Sequence, residues 1–405
     1  MIPRVSTSLT DPVVGGATAA SPSRGAATAG RAATIGWPLW CALASSVTVA
    51  FGAHWDIAWH RSIGRDAFWS PPHVAIYTAA VLAAVSALAQ ILPATFGPGR
   101  AARAADGVRV LGFRGPLGAF ISAWGGVTML ASAPFDDWWH NAYGLDVKIL
   151  SPPHVVLALG IVCLHLGALV MLSAAMNRSA SPAARRAAEP MVLVVGGMVS
   201  VALLTLFMEK TVRPFMHLGS FYVVVALCAP IVLVAMHTAT GLRWGGTLSA
   251  AIYSLFLLAL LWTFPLVPAQ PKLGPVLSPV TCLIPPEFPL LLVPAAAVLD
   301  SWLWRRRDRP GFATVAVAGL LFLGVFFALQ WPFATFLMSP PARNFFWGAK
   351  YFDFGMPSWF NYRRYEFFSE PPGDLVRELA LALAGAVLSA AAGRGVGRWL
   401  GRVRR

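Results

Sequence analysis

The chain has 405 residues, of which 57% are hydrophobic and only 12% charged, with a formal net charge of +14. Soluble proteins carry about a quarter charged residues, so this composition fits lipid as the solvent and excludes an ordinary soluble enzyme. The arginines fall between apolar segments rather than in a stripe on a soluble domain, so membrane topology, not nucleic acid, accounts for the positive charge.

In chain order, residues 1–33 are rich in Ala, Ser, Thr and Gly and show no apolar period. They read as a disordered cytoplasmic leader. A cleaved signal is not favoured, because the first apolar run continues directly into a polar motif. About ten apolar segments follow, each near the roughly 20 residues that cross hydrocarbon. They cover 35–60, 71–95, 117–140, 152–177, 190–210, 217–239, 247–268, 286–304, 311–337 and 374–393. The expected fold is an all-α polytopic membrane bundle of about ten transmembrane helices, containing repeated two-helix hairpins. Residues 34–178 form its motif-bearing region, 179–394 add helices of unknown role, and 395–405 make a basic cytoplasmic tail. The four cysteines, Cys41, Cys163, Cys228 and Cys282, are far apart and mostly within apolar runs, which supports neither a disulfide framework nor a thiolate metal site.

Basic connections at Arg100/Arg103/Arg109/Arg114, Arg178/Arg185/Arg186, Arg243 and Arg305–Arg309 alternate with the less basic loops 61–70, 141–151, 211–216, 269–285 and 338–373. Positive-inside logic puts the first set and both termini in the cytoplasm of a bacterial inner membrane, and the second set on the periplasmic side. The loop 338–373 is aromatic, with Phe345, Phe346, Trp347, Tyr351, Phe352, Trp359, Phe360, Tyr362 and Tyr365. It is expected to lie on the membrane interface or to cap the bundle there.

Two of the outer loops belong to a repeat. The first copy places Asp56, Trp59 and His60 before Gly64, Asp66 and the run Ser70-Pro71-Pro72-His73. The second places Asp136, Trp139 and His140 before Gly144, Asp146 and Ser151-Pro152-Pro153-His154. Residues four apart on a helix differ by about 40° of rotation, so each Asp and His pair projects from one face of an outgoing helix. Ser at the cap position followed by Pro starts the returning helix, which puts His73 and His154 in its first turn, opposite the pair. Ionisable side chains at such positions are costly in a membrane, and their duplication points to a ligand set. One carboxylate and two imidazoles suit copper, zinc or iron(II) better than magnesium or calcium.

Further candidates surround these triads. Asp66 and Asp146 are loop carboxylates that either orient a ligand histidine or serve the turn, Asp66 also being placed to pair with Arg65. His54 and Asp137 are possible alternative ligands by adjacency. In the second half, Glu209, His217 and Glu287 sit at span ends on the same expected side, either as ligands or supporting groups, or in the case of Glu209 as a partner of Lys210 or Arg213.

The spacing Asp56-x3-His60-x12-His73, with Trp59 before the histidine and Arg65-Asp66 after it, resembles the C subunit of particulate methane monooxygenase and ammonia monooxygenase. Asp136-x3-His140-x13-His154 is similar to that subunit's second triad, with Asp where the family has Asn. The resemblance covers roughly residues 50–175. It implies copper at both triads, O₂-dependent hydroxylation of a small apolar substrate or ammonia, and partner subunits of the monooxygenase type or a homo-oligomer. The chain departs from that pattern in its about six additional spans, and it has no cupredoxin-like soluble domain. The residues themselves leave two other classes open: a zinc-dependent membrane hydrolase, and a non-catalytic envelope protein that binds or transports copper.

Overall fold

The computed structural model describes residues 35–64, 66–98, 107–144, 151–179, 181–309, 311–356 and 363–404. The leader over 1–33 lies outside the described residues. The protein is an all-α polytopic membrane bundle. Its long helices are α1 (Trp37–Ser62), α2 (Pro71–Thr95), α3 (Leu117–Tyr143), α4 (Pro152–Arg178), α5 (Pro182–Leu206), α6 (Gly219–Thr240), α7 (Gly245–Thr263), α8 (Leu292–Arg305), α9 (Phe312–Met338) and α10 (Pro372–Leu400). In each repeat hairpin the start of the returning helix meets the end of the outgoing one, His73 of α2 against Asp56 of α1 and His154 of α4 against Asp136 of α3. Tyr77 of α2 is within electrostatic reach of both Asp56 and Asp136, so the two hairpins turn at the same end of the bundle.

Eight of these helices are long and apolar enough to cross a membrane, two fewer than the expected ten. α1 falls short because Ser45, Ser46, His54, Asp56 and His60 dilute its apolar run. α8 has 14 residues, making it about 21 Å long against a hydrocarbon core of about 30 Å. The expected span over 286–304 is helical only in its second part, since residues 283–291 carry no regular secondary structure. Three side chains take up backbone donors on that stretch: Ile284 N–H donates to Ser62 Oγ (2.7 Å), Leu290 N–H to the Tyr253 hydroxyl (3.4 Å) and Leu291 N–H to Gln330 Oε1 (3.0 Å). Unpaired backbone inside a membrane is tolerated only where protein or a cavity surrounds it.

In lipid, helix association rests on close packing rather than on apolar burial, and small residues permit it. α3 and α4 touch backbone to backbone at Gly118, Gly125, Gly160 and Gly167. A methyl added at Gly167 would sit 2.5 Å from the Ser122 backbone nitrogen, and one at Gly125 would sit 2.6 Å from that of Leu164. α10 lies equally close to α6, with Gly397 against Ala235. One buried cluster joins the two halves of the chain, running from Ala42, Ala87 and Ala119 through Val192 to Val232 and Leu400. At the end away from the hairpin turns, Asn177 Nδ2 donates to the carbonyls of Leu400 (2.7 Å) and Val403 (2.8 Å). There the connection between α2 and α3 also forms a small antiparallel hairpin, Val108–Val110 with Phe113–Gly115. Its turn, at Leu111 and Gly112, has both residues at positive φ, 49° and 87°.

The aromatic loop caps the bundle at the turn end. Phe354 N–H donates to Arg61 O (3.2 Å), while Leu277 and Ser278 N–H donate to Phe354 O (2.8 and 3.0 Å). Arg61 Nε also meets Asp353 Oδ1 at 2.5 Å. These contacts seat the loop on the last turn of α1. Trp359, Phe360 and Tyr362 lie outside the described residues.

Gly167→Ala is expected to destabilise the bundle by about 1–3 kcal/mol, because the methyl has no room between α3 and α4. Gly324→Ala, where nothing lies within 4 Å, is expected to be neutral or stabilising by up to about 1 kcal/mol. Reversible unfolding in mixed micelles reads both, and equal effects at the two positions would contradict this packing.

Candidate metal centre

Both repeat copies end their outgoing helix in the same way. The chain passes through Gly64 and Gly144, at φ 87° and 88°, a conformation that glycine adopts without the strain a side chain would bring. Each glycine N–H closes onto the last turn, Gly64 to Trp59 O (3.1 Å) and Gly144 to His140 O (3.0 Å). Prolines open α2 and α4 as expected, with Ser70 and Ser151 at the cap positions. Neither serine caps its helix through its side chain. Ser70 Oγ instead accepts from Ala67 N–H within the turn (2.7 Å).

In the first hairpin four groups converge. His73 Nε2 lies 3.3 Å from Asp56 Oδ1 and 3.2 Å from Asp66 Oδ2. His60 Nε2 lies 3.8 Å from Asp56 Oδ2 and 3.5 Å from Asp66 Oδ2. Ligand atoms of Asp56, His60 and Asp66 are all within 4.8 Å of one another. Asp66 thus stands among the candidate ligands rather than behind them. In the second hairpin Asp136, His140 and His154 meet the same criterion. Asp136 Oδ2 is 3.5 Å from His140 Nε2, and its Oδ1 is 3.5 Å from His154 Nε2. Asp146, the repeat partner of Asp66, lies outside the described residues.

These separations have a chemical reading. Two ligands each about 2.1 Å from a tetrahedral ion stand about 3.4 Å apart. The carboxylate oxygens Asp56 Oδ1 and Asp136 Oδ1 are buried and face His73 Nε2 and His154 Nε2 respectively. His140 Nδ1 approaches the Gly144 carbonyl at 3.2 Å. A carbonyl can only accept, so Nδ1 carries a proton and Nε2 is the ring atom that faces Asp136. Burial opposes ionisation of Asp66, but hydrogen bonds from His60 and His73, and then their charges, outweigh it and hold its carboxyl far below the usual carboxylate range. The donor chemistry of both clusters therefore fits a divalent transition metal.

The two clusters are neighbours. Tyr77, one turn along α2 from His73, has its ring 6.2 Å from the His73 ring and donates to Phe68 O (3.0 Å). It is within electrostatic reach of carboxylates from both clusters.

The other sequence candidates go elsewhere. His54 lies on the opposite face of α1, with Nδ1 on Ala50 O (3.0 Å) and Nε2 near Thr205 Oγ1 (3.3 Å). Asp137 is exposed and accepts from Asn141 Nδ2 (3.3 Å). Glu209 is exposed on a turn after α5. Glu287 accepts from Arg213 through the backbone N–H (2.7 Å) and Nε (3.2 Å). His217 is stacked between Trp331 and Phe367, with ring centroids 4.1 and 3.6 Å away, and bonds Trp331 O (3.0 Å).

Two buried polar pairs escaped the sequence reading. Asp300, fully buried in α8, accepts from His237 Nδ1 (2.9 Å) and from both the N–H and hydroxyl of Thr247 (2.8 Å each). His165 Nδ1 meets Ser46 Oγ at 2.7 Å between α4 and α1. An ionisable residue within an apolar run, as at Asp300, was the available signal. Comparison with protein families, curated protein sequences and solved structures finds no match to this chain.

Asp66→Asn is expected to weaken metal binding at the first cluster by about 10–100-fold while sparing the second. Asp137→Asn and Glu209→Gln are expected to leave both unchanged. Competition against a chelator of known affinity, with lipid-reconstituted protein, measures all three.

Proposed function

We propose that this multi-pass membrane protein is a copper-binding oxygenase, or a subunit of one, that hydroxylates a small apolar substrate or ammonia with O₂. The observation that carries this reading is the duplicated cluster of buried carboxylate and imidazole, with ligand spacings that resemble those of the copper monooxygenase C subunit. Asp56, His60, Asp66 and His73 would hold one ion, and Asp136, His140 and His154 a second. Bound copper with open positions supplies the binding and activation of O₂. The chain's own part is to fix the ligands. Gly64 and Gly144 end the outgoing helices, Pro71 and Pro152 start the returning ones, and the Gly144 carbonyl sets the His140 ring so that Nε2 faces the cluster. The apolar bundle beside these hairpins admits an uncharged substrate and limits access of water.

The same reading orients the protein. Arginine-rich connections at the far end favour a cytoplasmic location for both termini, with the clusters at the periplasmic face of a bacterial inner membrane. Further monooxygenase-type subunits, or copies of this chain, are the partners it implies.

A second reading is a zinc-dependent hydrolase. Asp66 favours it: a cluster with two carboxylates departs from the one-carboxylate triad of the resembled family, and a carboxylate beside a metal-bound water acts as base in such enzymes. Copper transport is less well supported, because both clusters lie at one end of the bundle rather than along it.

Protein purified in lipid is expected to contain up to two copper ions per chain and to give a Cu(II) EPR signal with nitrogen coupling. His60→Ala and His140→Ala should each remove one component. Zinc as the sole bound metal would move the protein to the hydrolase class. Failure of both variants to change metal content would end the metal assignment.

A further inference from the structure

α1 has a second working face. Asp56 and His60 face the candidate metal cluster, while His54, Ile57, Ala58 and Arg61 line a partly open cavity of about 90 Å³ on the other side, together with residues of α5, α7 and the non-helical stretch before α8. Most of its wall is apolar, including Val201, Leu204, Leu257 and Ile284.

The polar groups that reach it can be accounted for one by one. Glu287 is held by Arg213. Arg61 is held by Asp353 and by the Pro285 carbonyl, which accepts from Nη1 (3.1 Å). The Thr211 hydroxyl has the Met208 carbonyl (3.3 Å). Apart from these ion-paired groups, two keep unused capacity. His54 Nδ1 must donate to the Ala50 carbonyl, which makes Nε2 an acceptor in the neutral ring. Its neighbour Thr205 has one proton, and the Val201 carbonyl at 2.8 Å is a nearer acceptor than His54 Nε2 at 3.3 Å. The Tyr253 hydroxyl receives Leu290 N–H, which leaves its own proton undonated. Outside its ion pairs the cavity therefore offers one strong neutral acceptor and one neutral donor beside an apolar wall.

We propose that this cavity binds a short-chain alcohol of about one to three carbons, a size set by comparison with cavities of about 150 Å³ that hold benzene. The hydroxyl would donate to His54 Nε2 and accept from Tyr253, since a single oxygen with both capacities matches the pair. The alkyl end would pack on the aliphatic wall. The site is independent of metal at the two hairpins.

The test uses full-length protein in lipid nanodiscs with 2,2,2-trifluoroethanol as ¹⁹F NMR probe and 1,1,1-trifluoroethane as the probe without a hydroxyl. Saturable trifluoroethanol binding, displaced by ethanol and abolished by the cavity-filling change Leu257→Trp, is expected. Tyr253→Phe, which keeps the ring, should weaken it by roughly two- to tenfold without altering trifluoroethane, and His54→Gln should act likewise. Equal binding of the two probes, or trifluoroethanol binding unchanged in Tyr253→Phe and His54→Gln, would overturn hydroxyl recognition. Absence of saturable binding in the unmodified protein would mean the cavity holds water or nothing, and would overturn the site itself.

Discussion

A buried carboxylate oxygen requires positive charge beside it, because the cost of removing an anion from water is otherwise unmet. Asp56 and Asp136 each carry such an oxygen, at the end of an apolar helix, and each faces two imidazole rings. Protonated histidines supply that charge where a ring donates through Nε2, as His60 and His73 do to Asp66. A metal ion shared by the carboxylate and both rings would supply it as well, and the Gly144 carbonyl, by taking the His140 Nδ1 proton, leaves Nε2 toward Asp136 for either role.

The architecture around the clusters follows from keeping that arrangement in place. Two ligands on an outgoing helix and one on its return need a hairpin whose mouth is narrow and whose helices do not slide. Glycine at positive φ stops the first helix immediately after the ligand histidine, and proline starts the second immediately before the other. In the second hairpin the helices are then locked along their length by backbone contact at Gly118, Gly125, Gly160 and Gly167. The first hairpin is held differently. Ser45 Oγ donates to Ala79 O (2.8 Å) and Ser86 Oγ to Pro38 O (2.7 Å), so side-chain hydrogen bonds tie α1 to α2. The loop carrying Phe354 and Asp353 then covers the last turn of α1.

The bundle was legible in the sequence, and so was the meeting of Asp and His side chains across each hairpin, because both rest on local spacing. Apolar runs of helix length between arginines locate the helices, and an i,i+4 pair with a Ser-Pro-Pro-His run locates the side chains that the hairpins bring together. What depends on contacts between distant segments was not legible. Asp66 looked like a supporting group because a loop carboxylate has no helical phase to aim it, and only the turn places it on both histidines. His54 and Glu287 stood near the motifs in sequence or in expected side, yet α1 turns His54 away and Arg213 takes Glu287. The Asp300–His237 pair joins residues 63 apart, and no periodicity links them. The break before α8 was hidden because an apolar run that is extended reads the same as one that is helical.

Asp66 shows what the hairpin mouth adds to the helical spacing. Asp56 and Asp66 place two carboxylates against His60 and His73, which is enough negative charge to balance a divalent ion with both rings neutral, or two protonated rings without one. At the second cluster Asp136 faces His140 and His154, and the loop carboxylate that the repeat sets opposite Asp66, Asp146, lies outside the described residues. A group carried on a turn, and not on a helix, thereby decides how much positive charge the helical pair of the first hairpin can hold.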